Sequence, residues 1–145
     1  MGDRCDFRMR CRPQDADAVA EELGASVDED EGGPGECWIY DDQANYGHAD
    51  ALQKLATVRG ATFYGYHGAG CEYGPMLFAA HGGRLAYIES DWNADYPVVG
   101  IEKDGTSPAH FVQAAREYYE LLALAVAVLE AADQFAEAEK KGVAP

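Results

Sequence analysis

Three side chains suited to nucleophilic or metal chemistry stand close together in the middle of the chain: His67, Cys71 and His81, in a glycine-rich stretch. Neighbouring glycines leave a thiol exposed, and a thiolate beside an imidazolium is the pairing that attacks an acyl carbon. Cys71 with His67 or His81 is therefore the arrangement to expect if the protein is an enzyme. The same groups with Cys37 as a fourth would suit zinc, which takes imidazole and thiolate. Only the His-x3-Cys step from His67 to Cys71 favours that reading, because the other spacings are not diagnostic. A second grouping, Asp91, Asn93 and Asp95 followed by Glu102, has the oxygen spacing of a calcium loop. Tyr96 stands where such a loop needs glycine for its sharp turn, so a plain acidic connection is the better reading, and neither metal nor cofactor is expected. The chain contains no G-x-x-x-x-G-K, G-x-G-x-x-G, H-E-x-x-H or G-x-S-x-G pattern, which removes the commonest nucleotide, protease and hydrolase chemistries.

The other chemistry is charge. With 26 acidic and 11 basic residues the 145-residue chain has a formal net charge of -15, which repels nucleic acid and anionic lipid. The excess is uneven: residues 13–53 contain twelve carboxylates and neither Lys nor Arg. Asp28, Glu29, Asp30, Glu31, Glu36, Asp41 and Asp42 would present these charges to a basic partner in place of nucleic-acid phosphates. The plainer alternative is a solvated face that keeps the protein soluble.

The elements that must position these groups follow from periodicity. Cys5, Phe7, Met9 and Cys11 alternate with Asp6, Arg8, Arg10 and Arg12, a strand with one apolar and one charged side. The outward arginines are expected to pair with carboxylates on neighbouring strands. Ala16, Val19, Ala20 and Leu23 mark a helix ending at Gly24, and residues 27–36, rich in acid, glycine and proline, read as a loop. Residues 37–40 form a short strand, 48–59 a second helix, and 61–67 a strand with Tyr64 and Tyr66 on one face. Residues 75–80 and 84–89 form a hairpin about His81-Gly82-Gly83, and 96–103 supplies one more strand. Tyr64, Tyr66, Tyr73 and Tyr87 are read as core or protein interface. At this size and 48% hydrophobic content one compact core is expected. The cysteines are expected as unbridged thiols; Cys5 and Cys11 lie about 20 Å apart along one strand.

Ser107-Pro108 opens a helix, the serine capping it, that runs to about residue 141. At ~50 Å it exceeds the ~35–40 Å breadth of a domain this size, so it must protrude, break or pack on another chain. Phe111, Ala115, Tyr118, Leu122, Ala125 and Leu129 keep heptad spacing. Phe111, Tyr118, Leu122 and Leu129 are accordingly the expected interface of a homodimer. No apolar run is long enough to span a bilayer and the N-terminus lacks a secretory core, so a soluble cytoplasmic protein is expected.

Cys5 at the head of the first strand, the helix after it, Ala61-Thr62-Phe63-Tyr64-Gly65-Tyr66, Gly70-Cys71-Glu72, Leu77-Phe78-Ala79-Ala80 and the Gly82-Gly83 turn together resemble the ferredoxin-like domain family of phage- and plasmid-encoded proteins of unknown function. The acidic loop, the long C-terminal helix and Asp3-Arg4, where that family tends to carry Asn-Trp, depart from it. The resemblance implies a mobile-element origin and an α+β fold. That fold is a ferredoxin-like antiparallel sheet with two helices on one face over residues 1–106, followed by the long helix over 107–141, packed on the sheet or on a partner chain. The function expected is a non-enzymatic acidic inhibitor, an anti-defence protein such as an anti-CRISPR, that occupies a basic nucleic-acid-binding surface of a host protein without itself binding nucleic acid or membrane. The alternatives are a small cysteine enzyme built on Cys71, and an immunity protein against a basic toxin.

Overall fold

The computed structural model describes residues 4–28, 37–70 and 73–140. In chain order they form β1 (Arg4–Cys11), α1 (Ala16–Leu23), β2 (Ser26–Asp28), β3 (Cys37–Asn45), α2 (Ala49–Thr57), β4 (Phe63–His67), β5 (Met76–His81), β6 (Arg84–Glu89) and α3 (Ala109–Lys140). Single 3-10 turns at Pro13–Asp15 and Tyr46–His48 lead into α1 and α2. The protein is α+β: one antiparallel sheet in the order β2-β3-β1-β4-β5-β6 with three α-helices.

Alternation in β1 decides the main core. Cys5, Phe7, Met9 and Cys11 are buried on one side, where they meet Val19 and Leu23 of α1, Leu52, Leu55 and Ala56 of α2, and Ile39, Phe63 and Phe78 of the neighbouring strands. Each large side chain buried there contributes about 1.5–3 kcal/mol. The opposite side of the sheet receives α3, where Tyr118 and Leu121 pack on Leu77 and Ala79, flanked by Tyr64, Ala86 and Ile88. Among the described residues this second cluster takes nothing from β1, β2 or β3. Among the described residues the α3 cluster lies over β4, β5 and β6.

Gly65 holds the centre of the sheet together by having no side chain: a Cβ there would lie 2.0 Å from the carbonyl oxygen of Arg8. At the hairpin tip Gly82 and Gly83 make the two-residue turn expected between β5 and β6.

Several expectations change. Residues 26–28 pair with β3 as an edge strand instead of beginning the loop, and β3 itself runs on to Asn45. Residues 96–103 are not a strand. Asp91 Oδ1 accepts from the N–H groups of Asp95 and Tyr96 at 2.8 and 3.0 Å, which turns the chain back and leaves only an isolated bridge between Ser90 and Pro97. The Ser107 hydroxyl donates to the Gly100 carbonyl at 2.8 Å, so it ties the preceding loop to the start of α3, and the helix begins at Ala109. The helix runs unbroken for 32 residues, but its seam is used at home. Tyr118 and Leu129 are buried within this chain and Leu122 packs against the second cluster, since the β4-β5-β6 surface needs an apolar cover. Of the four residues nominated for a dimer, Phe111 alone is exposed.

Candidate functional site

The strand register puts two rows of side chains across the face on which α3 packs. The first reads Ser26, Tyr40, Arg8, Tyr66, Leu77, Ile88, and the second Trp38, Arg10, Tyr64, Ala79, Ala86. The positions directly opposite Arg8 and Arg10 on both neighbouring strands are thus aromatic, and Arg12 meets an acid, Asp15, at 2.8 Å on its own segment. Pairing of β1 with β3 and β4 decided this, and alternation within one strand says nothing of its neighbours.

On the β3-β1-β4 part of this face, Tyr40 and Tyr66 are 38% and 36% exposed with Arg8 between them, its guanidinium carbon 5.3 Å from the Tyr40 ring centre. Such a contact is worth about 0.5–1 kcal/mol at an exposed site. One row away Arg10 is only 7% exposed. The rings on either side of it, Trp38 and Tyr64, stand 6.3 Å apart edge to face, closer than two strand spacings of ~4.8 Å, so they lean together over it. Asp6, Phe7, Arg8, Tyr40 and Tyr66 line a shallow cleft of about 300 Å³. Desolvation, then the carboxylates of Asp42 and Asp6, push the Tyr40 phenol above its ordinary pKa, so it stays a hydrogen-bond donor. The result is a patch of guanidinium and ring faces edged by acid.

Of the groups nominated for catalysis, the two histidines are not brought together. Cys71 lies outside the described residues. Since His67 pairs with Met76 on β5, His81 stands five residues further along, about 16 Å away at the other end of the ladder. His81 Nδ1 is hydrogen-bonded to the Thr62 hydroxyl at 3.1 Å. His67 is fully buried. Its Nδ1 lies 2.8 Å from the Gly68 carbonyl and must donate, which leaves Nε2 to accept from the Tyr87 hydroxyl. Tyr73 sits edge-on to the ring, and a Cβ at Gly47 would fall 2.4 Å from its Cδ2. Burial, the largest cause, holds the His67 pKa below its ordinary value, and the imidazole serves as a neutral core group.

Cys5, Cys11 and Cys37 are buried thiols, as expected. Cys11 and Cys37 face each other across β1 and β3, and burial raises both pKa values, which makes them poor nucleophiles and ligands. Among the described residues no three acidic, cysteine or histidine side chains are placed to hold a metal ion. Asp91 spends one carboxylate oxygen on its own loop, which accounts for the calcium-like spacing.

The acidic residues nominated for a partner have different fates. Glu29, Asp30, Glu31 and Glu36 lie outside the described residues, and Asp28 joins β2. Asp41 turns inward: its side chain is bonded to His48 Nε2 at 2.9 Å and to the Gln43 N–H at 2.9 Å, so it fixes the end of β3 instead of offering charge. Asp42 is exposed. Sequence reading missed the Tyr40-Arg8-Tyr66 row; its signal was the outward alternation of Arg8 in one strand and Tyr66 in another.

Comparisons with family models, with curated proteins and with solved structures find no match to this chain. No helix among the described residues is long and apolar enough to cross a membrane.

Proposed function

We propose that this α+β protein is a non-enzymatic binding protein, an acidic inhibitor that docks on the basic, nucleic-acid-binding surface of another protein. The observation that carries the reading is the partly exposed row of Tyr40, Arg8 and Tyr66, with Trp38 and the buried Arg10 beside it. Tyr, Trp and Arg are the residue types that dominate binding energy at protein interfaces. Rings with arginine also suit stacking on single-stranded nucleic acid. Here Asp6 and Asp42 edge the row and the chain carries -15, so phosphates are repelled and a cationic protein surface is attracted. The element order β-α-β-β-α-β with strand sequence β2-β3-β1-β4 supports the ferredoxin-like plan, with β5, β6 and α3 added at one side. That plan, with the sequence resemblance, favours a mobile-element anti-defence protein of the anti-CRISPR kind.

The test is competition. A host nucleic-acid-binding effector complex is assayed for oligonucleotide binding with the wild-type protein, Tyr40→Ala and Tyr66→Ala. Wild type should displace the oligonucleotide, less so at higher salt, and each variant should be about 10–100-fold weaker, or about 1.4–3 kcal/mol. Direct binding of a labelled single-stranded oligonucleotide by the protein alone at physiological salt would overturn the reading.

A further inference from the structure

The connection from β6 to α3 exposes large apolar side chains in sequence: Trp92 at 82%, Tyr96 at 66% and Ile101 at 69%, with Val98 and Val99 between them. Exposure on this scale in a soluble domain marks an interface more often than it marks chance. The segment is nonetheless tied down. Besides the two bonds to Asp91 Oδ1, the Asp91 N–H donates to the Tyr96 carbonyl at 3.0 Å, the Ala94 N–H to the Asp91 carbonyl at 3.2 Å, and the Val98 N–H to the Glu89 carbonyl at 2.9 Å. Ala94 is held at φ 57°, a left-handed conformation that alanine keeps only when its surroundings impose it. Its methyl packs into the second cluster against the α3-covered half of the sheet. The loop therefore holds the Trp92 indole outward on a backbone ordered in advance, and the ordering cost of binding is already met.

We infer that Trp92 is the anchor of a second docking element, inserted into an apolar pocket rimmed by cationic side chains on the partner protein. The inference rests on the basic-partner reading above and adds a second contact in the connection after β6. Charge selects this occupant. Residues 89–104 carry Glu89, Asp91, Asp95, Glu102 and Asp104 against Lys103 alone, so a second copy of this chain or an anionic bilayer would be repelled, whereas a cationic rim would be attracted. The indole supplies the desolvation energy and the carboxylates the orientation.

The probe is a fluorescein-labelled amphipathic helical peptide of Lys and Leu only, which offers an apolar strip between cationic edges, with an equal-length Lys-Ser peptide as control. Anisotropy titrations at low salt use the wild type, Trp92→Ala and Tyr40→Ala, each first shown folded by circular dichroism. Saturable binding of the Lys-Leu peptide, at least tenfold weaker for Trp92→Ala and at least tenfold weaker for Lys-Ser, supports the anchor. Binding weakened by Tyr40→Ala but unchanged by Trp92→Ala overturns this inference and leaves the proposed function standing. The reverse pattern keeps the anchor and removes the Tyr40 row from the contact. No saturable binding overturns it, as does a Trp92-dependent dimer in light scattering or a Trp92-dependent emission blue-shift on phosphatidylcholine vesicles.

Discussion

The two sides of β1 carry alternate residues of one eight-residue strand, yet they end in different places. Phe7 and Met9 are sealed under α1 and α2 in a core of apolar contacts, while Arg8 is half-buried between two tyrosines. The apolar side was covered by helices that follow β1 and β3 directly in the chain. On the charged side α3 packs on β4, β5 and β6.

Perturbing the buried side should have the largest effect. Phe7→Ala removes a fully buried ring that stacks on Phe78 at 5.4 Å and should lower the unfolding free energy by about 4 kcal/mol, read by urea denaturation. Tyr40→Ala, across the same ladder, should change it by less than about 1 kcal/mol. Equal losses would break the contrast between the sides. Gly65→Ala forces a Cβ against the Arg8 carbonyl and should cost about 3 kcal/mol, separating β1 from β4 and abolishing the row with them.

A finer test uses pH. The His67 pKa is lowered in the folded protein, so the unfolded chain binds the proton first as pH falls. Its contribution is complete above the ordinary histidine range and is lost on acidification through pH 6.5 toward the lower folded value. Melting temperature should therefore fall from pH 7.5 to 5.5 with a slope that His67→Gln flattens. An unchanged slope would show that the ring is not held neutral. The smallest expected effect is Arg8→Met, which keeps the stem but deletes the cation over Tyr40 and should cost roughly 0.5–1 kcal/mol of stability. A larger loss would make Arg8 part of the core and sharpen the division differently.

Most elements were legible from local pattern: the alternation of β1, the apolar spacing of α1 and α2, and the paired glycines between β5 and β6 each rest on neighbours in sequence. The missed ones were decided elsewhere. Residues 26–28 are a strand only because β3 accepts them, and residues 96–103 fail to be one because a single carboxylate turns the chain at Asp91. The heptad row of α3 was a correct sign of an apolar seam, but periodicity cannot say whether a sheet or a second chain fills it; Tyr118 and Leu129 show that this chain does.

What the sequence determined by itself is charge and period: -15 with neither Lys nor Arg from 13 to 53, and the side of each element that must be buried. Tertiary structure alone decided adjacency. It separated His67 from His81 by the length of a strand, turned Asp41 inward onto His48, and set Arg8 between Tyr40 and Tyr66. Periodicity is local because it reflects backbone geometry a few residues long, whereas register between strands distant in sequence is chosen by whichever pairing buries the whole set of apolar faces at once.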